Sequence, residues 1–414
     1  MIFVLGAKAL LGLAKAVGKK EGEMGERNSE RRGLLICTAV LFSFCLFFFI
    51  FYGKEIIVNG SQAGEEYVKE LMGGEEYAAL EQRVQQILHA EKFSLTDYIR
   101  AVLSGETAFS FSDFVRTVSR GMVGQVEGLR RDFVQLIALV LLTSVFNGFA
   151  KAFRDGQVAE SGYYVSYLLL FSMLASGYLS MSGVAEDTLN TLLGFMKVLI
   201  PVFCGTIAFA TGSITSQSAA AVLFMLLAAV DYFLVSILLP VIHIYMMTVL
   251  ANHLAKEEPL GKTAQLLAKG VRFFLKFALS IVAAASTLLG LVTPAIDALK
   301  RGSVLKVSQM IPGLGNLFRG VAETVFGAGN IIKNAVGTGG MIVVVLICII
   351  PLGRVLLASV CYRAGAAAVE PVADRRIVNC LTDAAEGITM LFQTLFAGAV
   401  LFLLIFAVLL RATS

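Results

Sequence analysis

One carboxylate sits where chemistry is easiest to imagine. Asp231 lies within MLLAAVDYFLVSILLP, and no other charged residue occurs between Lys197 and Lys256. Inserting a charge at the centre of a bilayer costs about 2.5–3.5 kcal/mol per residue on insertion scales, so such residues face a polar path or pair with a neighbouring helix. For Asp231 both readings stand. Four more ionisable residues border apolar runs and share the candidacy as polar-path or helix-pairing groups: Glu323 and Lys333 in a glycine-rich stretch, and Glu186 and Asp297 at the ends of apolar segments. Lys333, Arg319 and Lys276 have stems long enough to carry their charge to an interface, which favours a structural role for them.

Other chemistry finds little support. The three histidines, His89, His243 and His253, are far apart in sequence. The six cysteines, at 37, 45, 204, 348, 361 and 380, form no CxxC or Cys/His grouping, so no metal or cofactor is expected. No HExxH or GxSxG occurs in an apolar run, so we do not expect an enzyme. A net charge of +4 is too small to argue for a nucleic-acid partner.

The elements that must position these residues are membrane helices. With 57% hydrophobic and 15% charged residues over 414 positions, and a mean hydropathy of +0.79, the chain fits a polytopic all-α membrane bundle. GLLICTAVLFSFCLFFFIFYG (33–53) follows Arg31 and Arg32 and reads as a signal sequence or an uncleaved signal anchor, with residues 1–32 cytosolic and 1–23 an extension or a misassigned start. Residues 54–132, with 13 acidic and nine basic residues, form the sizeable polar segment. Apolar residues there recur at three- and four-residue spacing, so amphipathic helices on the extracytoplasmic side are expected. Apolar runs then follow at 133–150, 162–182, 191–211, 217–238, 240–254, 272–294, 339–361 and 387–411. Tyrosines at 163, 164, 167 and 178 serve for an interfacial belt, since tryptophan is absent.

A displacement of 111 residues relates Pro201 to Pro312 and Pro240 to Pro351, and within one residue it relates Pro259 to Pro371. It also lays Glu186 over Asp297. We read an internal repeat of about 111 residues: a first helix and junction (133–160), unit one (161–271), unit two (272–382) and a terminal helix (383–414). Basic residues at three junctions, Lys151 and Arg154, then Lys256, Lys262 and Lys269, then Arg363, Arg375 and Arg376, suit two parallel copies with an even number of crossings each. Lys300 and Arg301, opposite the acidic GVAEDTLN (183–190), suit inverted copies instead. In this register IPGLGNLFRGVAETVFGAGNIIKNAVG (311–337) matches IPVFCGTIAFATGSITSQSAAAVLF (200–224). Matched Gly-rich segments in two halves suggest broken or re-entrant helices, with Pro201, Pro240, Pro312, Pro351, Gly337, Gly339 and Gly340 as the breaks. Close packing through small residues and an interfacial amphipathic helix are the alternatives.

The run 312–378, and within it IIKNAVGTGG, IIPL and EPVADRRI, resembles the stage III sporulation protein AE family of endospore-forming bacteria. FSFSDFVR (109–116) and LVLLTSVFNGFAKAF (139–153) resemble it too. The resemblance implies a multi-pass protein of the mother-cell (outer forespore) membrane, made during engulfment. It implies membership of an apparatus that forms a channel between mother cell and forespore, resembles secretion systems and supports forespore development. Expected partners are other membrane proteins of that complex, a forespore channel partner and the lipid bilayer, with homo-oligomers left open. From the residues alone, a permease moving small solutes through its own core is the competing reading.

Overall fold

The computed structural model describes residues 128–145 (except 129 and 132), 156–211, 214–254, 259–308 and 315–412. The expectations for 33–53, for nearly all of 54–132 and for Pro312 lie outside these residues. Among the described residues every element is helical. A short apolar helix, α1 (Phe133–Val145), precedes α2 (Gly156–Thr211), α3 (Ile214–Phe233), a π-turn (Leu234–Leu238), α4 (Leu239–Asn252), α5 (Gly261–Ser308), α6 (Gly315–Val369) and α7 (Arg375–Ala412).

Five segments are long and apolar enough to cross a membrane: Tyr164–Lys197, Ala221–Asn252, Gly261–Leu288, Gly340–Val369 and Arg375–Ala407. Two pairs of apolar runs therefore merge. The runs 162–182 and 191–211 belong to the single helix α2, because the acidic stretch between them is amphipathic: Glu186 and Asp187 are exposed while Ala185, Thr188 and Leu189 are buried. The runs 217–238 and 240–254 belong to one span because Pro240 stands in the first turn of α4, where its missing N–H costs least. The chain upstream widens into the π-turn, and the Leu239 N–H donates to the Leu234 carbonyl.

The expected breaks in the second unit are also helical. Gly337, Gly339, Gly340 and Pro351 all fall inside α6, which runs without interruption from Gly315 to Val369, and Pro201 falls inside α2. A helix of 55 residues is roughly 80 Å long at ~1.5 Å per residue, so its many other hydrogen bonds outweigh the one a proline removes. Several described glycines serve close approach instead. A Cβ on Gly340 would stand 2.8 Å from Leu199 Cδ2 and 3.4 Å from Phe406 Cε1, and one on Gly398 would stand 2.6 Å from Leu189 Cδ2. Such knobs let helices pack at short range where lipid supplies no hydrophobic drive.

At the centre is α7, which packs against every element from α2 to α6. Its most apolar window is 67% buried, against 28% for that of α5. On α5 the rings of Phe273 and Phe277 stack in parallel at 6.1 Å on an exposed face, as suits a helix turned to lipid.

The α4–α5 and α6–α7 turns meet at one end of the bundle, because His253 at the close of α4 reaches Asp383 near the start of α7. An even number of crossings per unit requires this arrangement. The start of α1 meets the same end, where a Cβ on Gly365 would lie 3.1 Å from Leu136 and 3.5 Å from Phe133. Lys262 and Val372 are exposed at the two turns. In a background with the native cysteines replaced, Lys262→Cys and Val372→Cys are both modified by a membrane-impermeant maleimide from one and the same side, the cytosolic side by the density of Lys and Arg. Modification from opposite sides contradicts the fold.

Candidate functional site

The first third of α7 carries CLTDAAEGIT (380–389), and nearly every polar residue in it reaches a different helix. Tyr167 of α2 donates its hydroxyl to the Leu250 carbonyl at 2.5 Å and lies 3.4 Å from Cys380 Sγ. His253 Nε2 donates to Asp383 Oδ2 at 2.8 Å, tying the end of α4 to α7. The Arg272 guanidinium of α5 pairs with Glu386. Thr389 donates to the Ala385 carbonyl at 2.7 Å, accepts from Arg363 Nη2 at 3.0 Å, and lies 2.7 Å from Ser359 Oγ. Four neighbours are thus held by one band. Local sequence explains why it forms: Asp374 caps α7, accepting from the Arg376 N–H at 3.2 Å, and Asn252 Oδ1 accepts from the Leu260 N–H at 2.7 Å across the α4–α5 turn. Both caps fix where the next helix begins.

A second polar contact lies deeper. His243 donates from Nδ1 to the Leu239 carbonyl at 2.8 Å, which leaves Nε2 to face Ser182 Oγ of α2 at 3.1 Å. The Tyr178 ring meets the imidazole edge-on at 5.4 Å. Ser182 and His243 thus form a hydroxyl–imidazole pair in which the other ring nitrogen is held by a backbone carbonyl and not by a carboxylate, and no group of three or more potential metal ligands occurs among the described residues.

Asp231 is different from all of these. It is 1% exposed, and neither carboxylate oxygen has a hydrogen-bond partner. Its helix face runs from Phe224, whose ring lies 6.1 Å from that of Phe406 on α7, to Leu234, which stands beside Gly398. The π-turn begins three residues later. Among the other sequence candidates, Glu186 is exposed on α2 and so takes no part in the interior. Asp297, Glu323 and Lys333 lie on α5 and α6, and their side chains are outside the described residues.

The polar band on α7 escaped sequence reasoning, because its partners are up to 213 residues apart. A signal was present nonetheless: Cys380, Asp383 and Glu386 recur every three residues at the start of an apolar run, which places them along one side of a helix.

The profile of the family described as Stage III sporulation protein AE matches residues 93–413. The Stage III sporulation protein AE of Bacillus subtilis strain 168 is 22% identical over 286 residues, covering 67% of this chain and 70% of that protein. No solved structure matches. The matched region takes in all five spans, the α7 band and Asp231.

Proposed function

The chain belongs to the stage III sporulation protein AE family, and from that premise we propose that it is an integral membrane component of the channel complex linking mother cell and forespore. It acts there as a scaffold or conduit subunit needed for forespore development during engulfment, in the mother-cell (outer forespore) membrane. Its partners are other membrane proteins of that complex and a forespore channel partner, and it performs no catalysis of its own.

The observation that carries this reading is the family match across the whole membrane bundle. The packing agrees with it: a central helix bonded to four neighbours, and glycines at which an added Cβ would stand under 3 Å from a neighbouring side chain, suit a rigid assembly unit better than a carrier that must reshape itself. Deleting the gene in an endospore-forming host is expected to reduce heat-resistant spores by orders of magnitude and to leave small forespores. Normal spore counts with forespores of normal size would sink the proposal. A permease moving small solutes through its own core has one observation in its favour, the buried and unpartnered Asp231. Solute flux into liposomes holding the purified chain, abolished by Asp231→Asn, is what that reading requires.

A further inference from the structure

We propose that Asp231 is a monovalent-cation site in the membrane core: a carboxylate that takes up a proton or a small alkali cation, beside a π-turn that lets α3 rotate and release it. The site goes beyond the sporulation reading and does not depend on it. The argument begins with cost. An ionised carboxylate removed from water with no compensating partner is among the most expensive groups a fold can hold, and Asp231 is 1% exposed with both oxygens unpaired. Some positive charge must therefore arrive.

No described residue supplies it. The elements packed on α3 are α2, the π-turn, α5 and α7. On α2, Glu186, Asp187 and Lys197 are exposed. On α5, Arg272 is committed to Glu386 and Lys276 is exposed. From Gly387 to Leu410, α7 has no charged residue, and neither does the π-turn. On its own helix face Asp231 is flanked one turn away on either side by Leu227 and Leu234, both buried. Among the described side chains none neutralises Asp231, and the proposed site takes that charge from a small ion in solution.

The π-turn Leu234–Leu238 supplies the second half. It holds an extra residue relative to an α-turn, and such turns concentrate at functional sites. Because one residue corresponds to about 100° of helix rotation, converting the π-turn to an α-turn would swing α3 and carry Asp231 off the α7 face. Pro240 in the first turn of α4 keeps the turn poised there, since it offers no N–H to complete a regular α-helical ladder.

Dicyclohexylcarbodiimide tests this directly on the full-length chain in detergent or liposomes. It reacts with a protonated carboxyl in apolar surroundings. The proton passes to a carbodiimide nitrogen, the carboxylate oxygen adds to the central carbon, and acyl migration leaves an N-acylurea with no atom lost. Peptide mass spectrometry is expected to find the adduct on Asp231 and not in Asp231→Asn, with labelling falling several-fold as pH rises. If sodium or lithium at constant pH and ionic strength, set with choline, also suppresses labelling, the alkali cation is a ligand; if neither does, the ligand is the proton. In parallel, the melting temperature of the wild type depends more steeply on pH or alkali cation than that of Asp231→Asn, whose remaining dependence comes from the other ionisable pairs. Labelling that ignores both pH and alkali cations means a permanently neutral structural carboxyl and overturns the proposal, as does absence of labelling at every pH. Should Asp231→Asn fail to fold, the wild-type labelling profile still decides.

Discussion

Gly398→Leu and Gly340→Leu each disrupt the bundle, whereas Gly183→Ala leaves it intact. At Gly398 a bare Cβ would already stand 2.6 Å from Leu189 Cδ2, and Leu189 is fully buried and cannot move aside freely. At Gly340 the added atom would meet Leu199 at 2.8 Å and Phe406 at 3.4 Å, so two helices would have to retreat. Overpacking of this kind costs typically about 1–3 kcal/mol, and a leucine adds three more carbons beyond that first atom. Both variants are expected to melt well below the wild type in detergent and to lose monodispersity. At Gly387 the nearest neighbour is the Met246 sulfur at 3.2 Å, and a thioether adapts, so Gly387→Ala falls between. Around Gly183 nothing lies within 4 Å. The melting temperatures should therefore rank by contact distance. A Gly398→Leu protein as stable as the wild type would contradict the packing.

How much of this was legible beforehand depends on the distance over which each feature acts. The all-helical membrane class follows from apolar runs, a property of consecutive residues. Asp231 stood out for the same reason, as one charge in a long apolar stretch. Punctuation misled: the prolines at 201 and 351, the glycines near 340 and the acidic pair at 186–187 look like boundaries, yet each lies within a helix. In a long membrane helix a glycine is as useful for close contact as for a break. The pairing of Tyr167 with Cys380, or of Arg272 with Glu386, was out of reach, because periodicity within one helix says nothing about which distant helix lies opposite.

Two sequence rules also pull apart at the turn end of the bundle. The basic residues Lys262, Lys269, Arg375 and Arg376 assign that end to the cytosol. The start of α1 packs there as well, although the polar segment before it reads as extracytoplasmic. No long apolar run lies between residues 54 and 132 to carry the chain across. Maleimide labelling at the two turns fixes the sidedness that the charges and the signal or anchor expected at 33–53 assign differently.

The proposed function puts the chain to work in the membrane of one cell, the mother cell, as part of the apparatus joining it to the forespore. Complementation by compartment tests it most directly. In a strain lacking the gene, a copy driven by a promoter active only in the mother cell is predicted to restore heat-resistant spores to near wild-type numbers, and a copy expressed only in the forespore is predicted to restore almost none. Equal rescue from the forespore alone, or no rescue from the mother cell, would contradict the account.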